Sequence, residues 1–141
     1  MADEVTLMFE TSLPIPMIVA NGTGIEQGAV LKGADPFTVL KTAAVNDLFG
    51  GVAAGEKIAS DGVLTIPVYL SGIFKGTASG NITYGDPIAT AAAGFENRFY
   101  TVVGTSAGLL SGNRIFGRAL ETATTGQTFL FELKSAPFVV A

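Results

Sequence analysis

The chain reads as an all-β domain, and three observations carry that reading. Apolar and β-branched side chains recur with a period of two. Clusters of Gly, Asn, Asp and Pro interrupt them at roughly 8–12-residue spacing, the rhythm of short strands joined by turns. A helical period is scarce: residues 38–48 have room for two or three turns, but Val39, Thr42 and Val45 suit a strand and a loop as well. We therefore expect little helix.

Residues 1–22 stand apart from the rest of the chain. Val5, Leu7 and Phe9 alternate onto one strand face, and Pro14 and Pro16 then force an extended path. No hairpin partner lies nearby. The segment reads as an extended N-terminal arm, with Val5, Leu7, Phe9, Leu13, Ile15 and Ile18 as the side chains that dock on another protein. The competing reading is an edge strand of the domain's own sheet. Asn21-Gly22-Thr23-Gly24 is a hinge, and residues 23–141 form a single β domain.

Within it, strands are expected over 37–42, 48–53, 63–74, 87–93 and 95–103. The run 63–74 contains Pro67, which marks an edge or a bulge. Residues 115–133 form a hairpin: Thr124-Thr125-Gly126 is the turn, and on the return Phe129 and Phe131 share one face while Leu130, Glu132 and Lys134 share the other. Turns are expected at Gly33-Ala34-Asp35-Pro36, Gly50-Gly51, Asp61-Gly62 and Gly85-Asp86-Pro87. The apolar stretch 136–141 is expected to pack rather than dangle.

An echo runs through this pattern. Residues 48–74 and 115–138 both open on Phe-Gly, with Phe49-Gly50 standing against Phe116-Gly117, and both pass a polar turn into a strand. Residues 28–44 and 85–103 form a fainter pair. We read a doubled β unit.

The composition bounds function. Only 14% of the 141 residues are charged, against a usual share of about 25%. With 18 glycines and 48% apolar residues, part of the apolar surface is expected to meet other chains, which favours a homo-oligomer. The net charge of −4 comes from single, scattered charges with no basic run, so nothing marks a nucleic-acid partner. Cysteine is absent, and with it any disulfide framework or thiolate metal site. Asp3 and Glu4 sit where a signal peptide carries positive charge, and the apolar run 13–20 is too short to span a bilayer, so no membrane partner is expected.

Reactive chemistry is poorly supplied. The chain has no histidine, the commonest general base and a leading metal ligand. Gly104-Thr105-Ser106-Ala107-Gly108 matches G-x-S-x-G but lacks both the strand-to-helix turn and the histidine that activate such a serine. Residues 22–28 hold three glycines at nearly dinucleotide-loop spacing, with one residue too many and no helix behind. Carboxylate pairs Asp86 with Glu96 and Glu121 with Glu132 are the remaining acid–base candidates, and isolated acids on a β surface are ordinarily solvated. Asn21 and Asn81 head glycosylation sequons without a secretory signal. No catalytic, cofactor-binding or metal-ligating residue is assigned, no cofactor is expected, and the chain is not expected to be an enzyme. A carboxylate-dependent hydrolase is the remote alternative. Arg98, Arg114 and Arg118 cluster in the second half, where guanidinium groups suit interfacial carboxylates.

An extended arm before a Gly/Ala-rich β domain with FGGVAAGEKIASDGVLTI, ITYGDPIATAAAG and IFGRALETATTGQTFLFEL resembles the head decoration, or capsid cement, proteins of tailed bacteriophages. The resemblance covers residues 24–133, with Gly-Asp-Pro-Ile at 85–88 and IFGRALETA at 115–123 as its nearest parts. It implies a compact β-tulip or barrel-like domain, commonly a homotrimer. Such a protein sits on the outer capsid surface of a virion assembled in the host cytoplasm and clamps neighbouring major capsid protein subunits with its arm. The family has no catalytic residues to carry over. The alternative is another virion structural protein, a tail or fibre component.

Overall fold

The computed structural model describes residues 3–43, 47–91, 97–101 and 114–134, and these are all-β, with no α-helix among them. The strands are β1 (Thr6–Phe9), β2 (Ile15–Ile18), β3 (Val30–Ala34), β4 (Thr38–Lys41), β5 (Phe49–Ala53), β6 (Thr65–Tyr69), β7 (Ser71–Ala78), β8 (Pro87–Thr90), β9 (Arg98–Thr101), β10 (Gly117–Ala119) and β11 (Thr128–Lys134).

Two barrels succeed one another along the chain. The first closes in the order β2-β4-β3-β5-β6. The second runs β7-β11-β10-β8-β9, and a parallel pairing of β7 with β9 closes it, while β1 lies along β7 outside the ring. The pairing schemes coincide strand for strand. In each barrel the first and third strands pair in parallel, and every other neighbour is antiparallel. The registers coincide too. Ile18 faces Thr38 and Thr65 as Thr77 faces Arg98 and Thr128. Isolated bridges Ile25–Lys57 and Ile82–Ala123 occupy matching places. The register matches Gly51 to Gly117, both at positive φ, so the alignment of Phe49-Gly50 with Phe116-Gly117 is corrected by one residue.

Residues 3–22 are not a separate arm, and the boundary at residue 23 is corrected. β1 pairs with β7, and β2 is a stave of the first barrel between β4 and β6. Its partners lie far along the chain, which is why no nearby hairpin signals them. The prolines fit because Pro16 faces Pro67 across β2 and β6. Two residues without N–H groups sit opposite each other only as a non-hydrogen-bonded antiparallel pair, where neither donor is needed. Pro67 therefore marks neither an edge nor a bulge. The expected single strand 63–74 is two strands: the chain bends at Leu70, and β6 closes the first barrel while β7 opens the second. β3 falls in a stretch whose Gly33 and Ala34 were expected to turn.

The cores differ in filling. The first is aliphatic, built from Met17, Val19, Leu31, Val39, Ile66 and Val68. The second is built from Phe74, Phe99, Phe116, Phe129 and Phe131, with Phe99 and Phe131 at 4.7 Å between ring centroids. Val39, Ile66 and Val68 correspond by register to Phe99, Phe129 and Phe131. The added ring volume is offset where Met17 of the first barrel is matched by Gly76 of the second. A Cβ on Gly76 would lie 2.8 Å from Cε1 of Phe131, so larger neighbours require a smaller residue there.

The barrels share a seam. Val5, Val30 and Val52 leave the first barrel's side to join the phenylalanine core, and Phe49 and Tyr69 pack against it. Polar bonds lock the seam: the Val30 N–H donates to Asn97 Oδ1 at 2.9 Å, and the Asp47 N–H to Thr90 Oγ1 at 2.9 Å.

Candidate interaction surfaces

The six arm residues divide. Val5 is buried at the seam, Leu7 packs beside it, and Ile15 packs against the first core. These three serve the chain's own fold. Phe9, Leu13 and Ile18 face solvent, Leu13 at 77% exposure. Phe9 pairs with Ile73, and the Thr11 and Ser12 hydroxyls meet Ser71 at 3.0 and 2.6 Å, so the loop carrying Leu13 lies over the bend at Leu70. Met8, Phe9, Leu13 and Leu70 are all exposed in this part of the chain.

The arginines have separate partners. Arg98 Nε donates to Asp3 Oδ2 at 2.8 Å and ties the chain's start to the second barrel. Arg118 Nε donates to Glu132 Oε1 at 3.1 Å across β10 and β11, both side chains in water. Such an exposed pair contributes about 0–1 kcal/mol. Arg114 stands at the start of the last described segment, half-buried.

Three of the four candidate carboxylates have partners within the fold. Asp86 Oδ2 accepts from the Thr83 N–H at 2.9 Å and the Thr101 hydroxyl at 3.0 Å, holding a turn. Glu121 Oε1 accepts from the Leu130 N–H at 2.9 Å, whereas Glu132 serves Arg118. Glu96, the Gly104–Gly108 motif and the stretch 136–141 lie outside the described residues. Among the described residues no three acids gather in a metal-binding group.

One polar cluster escaped sequence reasoning. Lys57 is fully buried, and its Nζ donates to the Asn21 and Ile58 carbonyls at 2.9 and 2.6 Å and to Asp61 Oδ1. Lys57 and the Val63 N–H together hold the Asp61 carboxyl below its ordinary range. This knot ties the hinge 21–24 to the loop 58–63. Its ammonium is held by acceptors from both segments, so the knot clamps one to the other. Tyr69 is pushed up, first by burial and then by Glu10, whose Oε2 accepts its hydroxyl at 3.1 Å.

The crevice beneath β1, about 80 Å³ and lined by Val5, Leu7, Val52, Tyr69 and Phe74, is part of the seam. It is far below the roughly 300–1,000 Å³ of small-molecule sites.

A second exposed face lies on the first barrel. Met17, Val39, Ile66 and Val68 point inward, so by alternation Pro16, Ile18, Thr38, Leu40, Thr65 and Pro67 point out. None is ionisable. Phe37 and Leu64 flank this row: the Ile18 N–H donates to the Phe37 carbonyl, and the Val19 N–H to that of Leu64, each at 3.0 Å. The alternation of β4 was a signal for Leu40; nothing local signalled Phe37 or Leu64.

Neither a protein-family model nor a curated protein matches the chain. Among solved structures, the N-terminal base of the head fiber protein gp8.5 of bacteriophage phi29 is similar in fold: TM-score 0.52, 17% identity, 95% of this chain and 99% of that one covered. At that identity the likeness is one of fold.

Proposed function

We propose that this chain is a structural component of a tailed-phage virion, seated on the outer surface of the head. The observation that carries the reading is the likeness in fold to a phage head-fiber base over nearly the whole of both chains. The exposed apolar side chains fit it, as does a sequence without histidine or cysteine. The protein works by contact and not by chemistry: it is no enzyme, and its partners are the major capsid protein and further copies of itself, most simply as a trimer. Attachment gains from several weak contacts made at once.

Two modes share this role. As a decoration protein the chain cements neighbouring capsid subunits; as a fibre base it anchors a projecting element. The structural neighbour favours the fibre base. In either mode the exposed Met8, Phe9, Leu13 and Leu70 are the apolar side chains offered to the head, and Val5, Leu7 and Ile15 belong to the fold. Cryo-electron microscopy of heads lacking the protein, before and after adding it, tests this. Ordered density on the outer surface is expected. Absence of binding, or density only at the tail, overturns the head-surface reading.

A further inference from the structure

We propose that the outward face of β2, β4 and β6, with Phe37 and Leu64 at its margin, is the surface by which copies of this chain associate. This face gives the self-association of the virion role its place on the molecule, and it does not depend on the head.

The second barrel serves as an internal control. Where the first barrel presents Pro16, Ile18, Thr38 and Leu40, the register places Lys75, Thr77, Arg98 and Tyr100 in the second. The fold therefore accepts charged and polar residues at these places. The chain makes that exchange elsewhere: Val52 and Tyr69 at the seam correspond to Arg118 and Glu132, which face water. Against that habit, the six outward residues of β2, β4 and β6 carry no charge, and Lys32, opposite Leu40 on β3, marks where the uncharged face ends.

Phe37 sharpens the point. It holds φ +52° and is 56% exposed. A bulky residue in the left-handed region is strained, and an exposed phenyl ring recovers none of that cost in an isolated chain. Its counterpart, at φ +68°, is Asn97, a residue type suited to that backbone, 5% exposed and bonded to Val30. Ile18 is 42% exposed where Thr77 is 7% exposed. Thus the corner that the second barrel seats against the first has an exposed, more apolar counterpart.

A second copy is the occupant these features select. The six outward residues carry no charge, so like faces meet without the repulsion that a net charge of −4 imposes elsewhere. A partner recognised through charge gains nothing from these six residues. The stiff rings of Pro16 and Pro67 lose little entropy on contact. The molecule already buries one such barrel corner against a barrel of the same fold.

The test grafts the second barrel's residues onto the first: Ile18→Thr, Phe37→Asn and Thr38→Arg together. Each is a residue the same fold already carries at the matching position. Light scattering on the eluting protein should give a multiple of 14.4 kDa for the parent and a single 14.4 kDa chain for the variant, with an unchanged circular dichroism spectrum. Leu64→Lys alone, outside the strands, should weaken association in the same direction. A parent that stays monomeric at its highest soluble concentration overturns the proposal, as do folded variants that keep the parent's mass. Head binding is read separately. A variant that keeps its mass but leaves the head assigns the face to the capsid and refutes the proposal, whereas a monomeric variant that still binds heads supports it and leaves the virion reading intact.

Discussion

Gly51 and Gly117 hold φ of +97° and +135° where β5 meets β6 and β10 meets β11. A Cβ on either would collide with a backbone oxygen of the next strand, that of Tyr69 or Glu132. Backbone cannot give way as a side chain does. Gly51→Ala and Gly117→Ala should each cost at least about 2–3 kcal/mol in urea unfolding. Gly22→Ala, with open space and ordinary φ, should stay within about 0.5 kcal/mol. At the knot of Lys57, the Asp61 carboxyl is depressed in the folded chain. Its contribution is present above the unfolded carboxyl pKa of about 3.9 and is lost as pH falls through the lower folded value. The parent's Tm should therefore fall more steeply below pH 4 than that of Asp61→Asn. Equal slopes would leave the ion pair without weight. Little of this was legible: a lysine beside Ile58 reads as solvated, and its burial depends on which loop closes over it.

At the scale of elements, alternation located the strands whose apolar face is unmistakable. Phe129 and Phe131 identified β11, and Phe-Gly with Val52 and Ala53 identified β5, although Gly50-Gly51 inside β5 was expected to turn and does not. The sequence was mute where pairing is long-range. Nothing local tells that Pro16 faces Pro67, and without that pairing LPIP reads as a loose segment. The correction decides what truncation should do. Removing residues 2–20 deletes β2 and opens the first barrel, exposing Leu31, Val39 and Val68, so that chain should not fold. Removing residues 2–9 takes only β1, leaves both rings closed and uncovers one side of Phe74 and Val52. It should fold with reduced stability, read as a lower Tm and ANS binding. A folded 2–20 deletion would return those residues to the role of a free arm.

For the whole molecule, the question is whether two barrels behave as one body. Val30 and Val52 belong to strands of the first barrel but pack in the core of the second, so neither barrel is complete alone. The chain passes between them at Leu70 with no linker, since β6 ends at Tyr69 and β7 begins at Ser71. We therefore expect one cooperative thermal transition, with calorimetric and van't Hoff enthalpies equal. Val52→Arg tests the seam. Its counterpart Arg118 shows that the strand tolerates arginine when that face meets water, so the substitution spares the first barrel's own ring. At the seam it places an unpaired guanidinium against Phe74 and Tyr69, and burying such a charge is costly enough to part the two bodies. The variant should melt in two steps, with a van't Hoff enthalpy well below the calorimetric one. The earlier step should expose the phenylalanine core, because the second barrel loses the two valines that cap it. A single transition at a lower Tm would mean that the Asn97–Val30 bond and β1 are enough to hold the barrels as one.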